Sequence, residues 1–154
     1  MKAEFANPFI TAAVSTFQKE VGVKLSRKDL TLKKAPVPSQ SVSIVIGVTG
    51  AVRGQVVYSM DENVALSVAK AMLPGKLPAE LKKLMTSAVS ELANIITGQA
   101  SITLAGENNI IEITPPAVFI GPGLSIDFLT MKTVCVSFIS GIGSMEINIA
   151  MVDA

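Results

Sequence analysis

Two residues three positions apart, Glu91 and Asn94, form the pair in this sequence best placed to do chemistry together. On an α-helix, at about 100° per residue, Ser87, Glu91, Asn94 and Gly98 fall on one stripe. A carboxylate and an amide then point the same way, with small residues a turn above and below. Another protein could approach them without bulky neighbours in the way. The same spacing also marks the solvated flank of an ordinary amphipathic helix, and spacing alone leaves both readings open. The chain has no histidine, which excludes His-based triads, His metal sites and His proton shuttles. Any catalysis must use carboxylate, amide, hydroxyl or backbone groups.

The element that carries the pair is the strongest helix signal in the sequence, from Leu77 to Leu104. Pro78 suits a first helical turn, because the N–H it lacks would have no intrahelical partner there. Leu81, Leu84, Met85, Ala88, Leu92, Ile95, Ile96, Gln99 and Ile102 recur at helical spacing as the expected buried face, and Gly106 ends the run.

The remaining elements follow in order. Asn7-Pro8 reads as an N-cap and first-turn proline opening a helix through Phe9, Ala13, Phe17 and Val21, with Gly22 as its stop. A basic stretch (Lys24, Arg27, Lys28, Lys33, Lys34) has no interleaved aromatics and reads as a solvated loop and edge strand, closed by Pro36 and Pro38. Ser41–Val48 and Gln55–Met60 read as a hairpin across a turn at Thr49–Gly54. Asp61 can cap a helix bearing Val64, Ala65, Val68, Ala69 and Met72, which Pro74-Gly75 ends. After the long helix, strands are expected at Asn109–Ile113, Ala117–Ile120, Leu124–Phe128, Thr133–Ile139 and Met145–Met151. Hairpin signals without strict strand–helix alternation predict an α+β fold, an antiparallel sheet covered by helices, as one domain over 1–154.

A 49% hydrophobic, 16% charged composition is that of a folded chain, and a net charge of +1 argues against general binding to nucleic acid or anionic membranes. The lone Cys135, between Val134 and Val136, reads as a small core residue. Neither a signal peptide nor a membrane span is evident, so a soluble cytoplasmic protein is the expectation. No P-loop, dinucleotide fingerprint or CxxC appears. Glu4-Phe5-Ala6-Asn7 echoes Glu91-Leu92-Ala93-Asn94 and suggests a diverged two-fold repeat, with Asn7 as a helix cap in its copy.

Ser87-Ala88-Val89-Ser90-Glu91-Leu92-Ala93-Asn94 matches the motif Ser/Asp-x-x-x-Glu-x-x-Asn. With Gly47-Val48-Thr49-Gly50 through Ser59 and Ile113-Thr114-Pro115-Pro116, the chain resembles the CheC/CheX/FliY family of bacterial chemotaxis phosphatases, CheX most of all. The resemblance implies a CheC-like fold and removal of phosphate from the aspartyl-phosphate of a CheY-type response regulator. It implies that Glu91 pairs with a lysine of the regulator and that Asn94 enters the regulator's active site to orient the attacking water. Ser87 and Gly98 would join Glu91 in partner contact. Phosphoryl transfer depends mainly on positioning and charge stabilisation, so an amide inserted in trans is a sufficient tool. Mg²⁺ would sit on the regulator, with no cofactor or metal held by this chain. A homodimer is also implied. The single-site pattern fits because Pro8 interrupts the N-terminal copy. Two rival readings remain: a non-catalytic module that binds a regulator or motor-switch protein, and a small-molecule domain with a pocket near Gly121-Pro122-Gly123.

Overall fold

The computed structural model describes residues 3–34, 37–38, 40–127 and 132–153. Four long antiparallel strands form the middle of the sheet: β3 (Val42–Gly50), β4 (Val52–Met60), β8 (Lys132–Ser140) and β9 (Gly143–Asp153). The two-residue period of a strand sends Val42, Ile44 and Ile46 of β3 to one face. Tyr58 and Met60 of β4, Val134 and Phe138 of β8, and Ile147 and Ile149 of β9 join them there. Three helices, α1 (Ala6–Thr16), α2 (Glu62–Met72) and α3 (Pro78–Ala105), bury their apolar sides in the same core. This is the α+β arrangement expected from the sequence.

The sheet order is β1-β8-β9-β4-β3-β5, with β6 also beside β3. Among the described residues β1 (Ser26–Lys34) pairs with β8 alone and forms one edge, as the basic stretch suggested. At the other edge, β5 (Ile111–Ile113) and β6 (Ala117–Ile120) share β3. The break between them is Thr114-Pro115-Pro116, three residues set against Ile46 and Gly47 of β3. Two prolines cannot donate to a ladder, so the run bulges there. Thr114 holds the bulge down: its N–H donates to the Gly47 carbonyl at 2.9 Å, and its Oγ1 accepts from the Gly47 N–H at 2.8 Å.

Several boundaries differ from expectation for physical reasons. The turn expected at Thr49–Gly54 is mostly strand. β3 and β4 part after the Val48–Gly54 pair, and each continues with another neighbour, Thr49-Gly50 with β5 and Val52-Arg53 with β9. The expected cap at Asn7 does not form. A 3₁₀ turn at Ala3–Phe5 leads straight into α1, Phe5 has helical angles (φ −65°, ψ −21°), and Asn7 is already inside the helix. Burial of Phe5 and Ala6 draws this turn onto the core, and Pro8 is tolerated because the first turn needs no donor from it. α1 ends through a π turn at Phe17–Val21 and Gly22, the expected stop, at φ 75°. The strand expected over Leu124–Phe128 is β7 (Ser125–Ile126), paired with β2 (Val37–Pro38); Phe128 and Pro36 lie outside the described residues. Cys135 is buried, in keeping with a core role.

Candidate functional site

α3 is built to be held along one side and offered along the other. Leu77 enters in extended conformation, Pro78 occupies the first turn, and the Gly106 N–H closes the helix on the Ile102 carbonyl at 3.3 Å. Over 28 residues, Met85, Val89, Leu92, Ala93, Ile96 and Ala100 are buried against the sheet, α1 and α2. A polar lock fixes the rotation of the helix. The Thr97 hydroxyl donates to the Ala93 carbonyl at 2.7 Å, one turn back, and so receives the Tyr58 phenol, 2.6 Å away, as acceptor. Tyr58 is 1% exposed on β4, and burial pushes its pKa well above the ordinary tyrosine value, outweighing the hydrogen bond to Thr97.

With that side fixed, the opposite stripe faces outward. Ser87, Glu91 and Asn94 are exposed and Gly98 is half-buried. Neither the Glu91 carboxylate nor the Asn94 amide forms a hydrogen bond or ion pair among the described residues. Both are therefore free to meet a partner, about 4.5 Å apart along the helix axis. The structure thus places all four stripe residues predicted from the sequence on one accessible face. Glu4 and Asn7 are also exposed. Asn7 borders a groove between α1 and α3 with Gln99 and Thr103, on a different side of α3 from Asn94.

Two residues of the expected buried face, Gln99 and Ile102, are exposed instead. Ile102, read from its spacing as part of the buried face, is 76% exposed. Eleven residues after Glu91 it lies within about 20° of that carboxylate around the helix, so it belongs to the offered side. Beyond Asn94 the stripe runs into an open groove of about 290 Å³ between the end of α3 and the residues leading into β5. Gly98, Ile102 and Ile110 line it, and no charged side chain does. Residues the sequence reading passed over are Thr97, Tyr58 and Ile110. A threonine in the buried register of a helix, and a chain with a single tyrosine, were the available signals for the first two. Ile110 carried none. Among the described residues no group of three or more His, Cys, Asp or Glu is placed to hold a metal ion, and no helix is long and apolar enough to cross a membrane.

The helix-covered antiparallel sheet is the α+β fold of CheC-like proteins. A solved CheC-like superfamily protein from a Shewanella species covers 99% of this chain and 99% of its own, at 25% identity and TM-score 0.85. Within that class the assignment narrows. The family described as chemotaxis phosphatase CheX matches residues 42–139, and this chain belongs to it. The CheY-P phosphatase CheX of Thermotoga maritima is 32% identical over 127 residues, 82% of this chain and 81% of that protein. The crystal structure of a CheX–CheY–BeF₃–Mg²⁺ complex from Borrelia burgdorferi superposes at TM-score 0.82 and 26% identity, covering 99% of this chain and 100% of that one.

Proposed function

We propose that this protein is a phosphatase of a phosphorylated CheY-type response regulator and that Glu91 and Asn94 are its working residues. The observation that carries this reading is the pair itself: an exposed carboxylate and an exposed amide, unpaired within the chain, in the motif register of α3 of a CheX-family protein. Glu91 forms an ion pair with a lysine of the regulator and holds α3 across the regulator's active site. Asn94 then enters that site. Its carbonyl accepts one hydrogen bond from a water and its N–H₂ donates to a neighbouring oxygen, so a lone pair of the water is aimed at phosphorus in line with the aspartyl oxygen. The P–O bond to the regulator's aspartate breaks as the water oxygen bonds to phosphorus. The products are the free carboxylate and inorganic phosphate. Mg²⁺ bound by the regulator supplies neutralisation of the phosphoryl oxygens. Ser87 and Gly98 contact the regulator on either side of the pair, where small side chains allow close approach. The protein acts in the cytoplasm as a homodimer.

Decay of a ³²P-labelled CheY-type regulator with Mg²⁺ tests this. Catalytic amounts of the protein accelerate decay; Asn94→Ala lowers kcat by about 10²–10³-fold, the usual weight of one preorganised polar group at a reacting centre. Glu91→Ala raises KM and removes the salt dependence of association. Binding without acceleration, across several regulators, establishes the non-catalytic module instead. Acceleration that survives the folded double variant keeps the activity and rejects these residues.

A further inference from the structure

We infer that the groove at the C-terminal end of α3 is an anchor site for an apolar side chain of the regulator, on the regulator's surface next to its active site. This deepens the reading above and rests on it. Three observations converge on the groove. First, it is continuous with the Glu91–Asn94 stripe: Ile102 lies about 12 Å beyond Asn94 along the same side of the helix. A regulator seated on the pair with an interface of ordinary size, about 800 Å² on each side, reaches that far.

Second, its large side chains are isoleucines left in water on a fixed frame, with Ser101 and Asn109 the polar residues of an otherwise apolar lining. Ile102 and Ile110 are each 76% exposed. The backbone at Ile110 does not move freely, because its carbonyl accepts from the Ala51 N–H at 3.3 Å. Gly50, at φ +122°, lets the β3–β4 connection press against that same oxygen. Two isoleucines rimming an uncharged groove on a rigid support present a prepared hydrophobic surface, with little ordering left to do on binding.

Third, Gly98 has no reason to be glycine within this chain. It sits in the middle of α3, where glycine weakens a helix relative to alanine, and a Cβ built on it meets nothing within 4 Å. Its missing side chain leaves space on the offered face, between the Asn94 turn and the groove. A partner's side chain, entering the groove while its backbone lies against Gly98, uses that space. The arrangement divides the labour: Asn94 acts on the phosphoryl group, Glu91 pairs with the regulator's lysine, and the Gly98–Ile102–Ile110 groove supplies the dry anchor that hot spots at interfaces provide.

The closing experiment compares wild type with Ile102→Ser, Ile110→Ser, their double variant and Gly98→Ala. It measures steady-state dephosphorylation of the regulator, binding of the BeF₃-activated regulator by calorimetry, and thermal melting. The serine variants, at exposed positions, fold normally. Each raises KM, and weakens binding to the BeF₃-activated regulator, by roughly tenfold to a hundredfold, the weight of burying one aliphatic side chain. kcat at saturation stays within about twofold. Gly98→Ala raises the melting temperature by a few degrees yet also raises KM, which a merely structural glycine would not do. If wild type turns over the regulator while KM and binding are unchanged in the double variant, the groove is not the anchor and the phosphatase reading stands alone. If the double variant instead converts a dimer of this chain to a monomer with KM unchanged, the groove is a self-interface and the inference is overturned. If wild type neither binds nor dephosphorylates any CheY-type regulator, the phosphatase reading fails and the groove inference falls with it.

Discussion

Replacing Thr97 with Val strips the acceptor from a phenol that has no route to water. Tyr58 is 1% exposed and its hydroxyl lies 2.6 Å from the Thr97 oxygen. Leaving a buried hydroxyl unsatisfied costs about 1–3 kcal/mol. Tyr58→Phe is milder: the Thr97 hydroxyl keeps its bond to the Ala93 carbonyl, so the loss is that of one buried hydrogen bond, about 0.5–1.5 kcal/mol. The double variant has no orphaned donor and is no less stable than Thr97→Val alone, so the two substitutions are coupled. At this chain length each kcal/mol moves Tm by about 2–4 °C. Urea unfolding followed by far-ultraviolet circular dichroism, with an unchanged m-value, yields the cycle.

The same group gives an optical check, because Tyr58 is the only tyrosine. Its pKa is raised in the folded state, so above the ordinary tyrosine value of about 10 the unfolded chain loses a proton that the folded chain keeps. Unfolding is thereby favoured: the contribution of this group to stability is constant below about pH 10 and declines as pH rises past it. Absorbance at 295 nm, which reports phenolate, increases only with loss of the fold, and Tyr58→Phe removes the corresponding decline in stability. A native chain whose tyrosine ionises near pH 10 while fully folded would refute the burial argument. Thr97→Val with no greater cost than Tyr58→Phe, and no coupling, would refute the lock.

Two further outcomes follow from single contacts. Asp61→Ala removes the carboxylate that accepts from the Val64 N–H at 2.9 Å at the start of α2, and lowers stability by about 1 kcal/mol, read as a lower urea midpoint. Gly50→Ala drives a Cβ into the Ile110 carbonyl oxygen at a φ of +122°, and costs about 1–3 kcal/mol; amide exchange quickens first at Ala51, whose N–H bonds that carbonyl.

How much of this was readable beforehand depends on the kind of signal each element carries. α3 was legible because twenty-eight residues repeat one apolar spacing, and repetition averages out exceptions. The hairpin strands were legible from alternation, but their turn was not: Thr49–Gly54 is rich in glycine, and only pairing with β5 and β9, distant in sequence, keeps it extended. Asn7-Pro8 has the composition of a cap, yet burial of Phe5 and Ala6 carries helical geometry past it. Ile102 was misplaced because one isoleucine at a plausible spacing looks the same on the buried edge and on the offered edge of a helix. Its side is set by where the sheet ends beneath α3, which is a tertiary fact. The stripe of Ser87, Glu91, Asn94 and Gly98 was legible as geometry alone; which of its polar groups would stay unpaired required the fold.

The lock and the offered stripe explain each other. An inserted amide works only if it stays within a fraction of an ångström of its productive position, and a long helix lying on a sheet by dispersion contacts alone can roll, since apolar packing is poorly directional. The Tyr58–Thr97–Ala93 chain of hydrogen bonds is directional. Thr97 lies three residues after Asn94, so a roll that displaced Asn94 would first have to break the buried, dry hydrogen bond between Thr97 and Tyr58. The exposed side can then be left unsatisfied at no cost, because water serves Glu91 and Asn94 until a partner arrives. α3 is therefore held by apolar packing, with its roll fixed by one buried hydrogen bond, and remains chemically free on the other side, the division the proposed insertion of one amide into another protein's active site calls for.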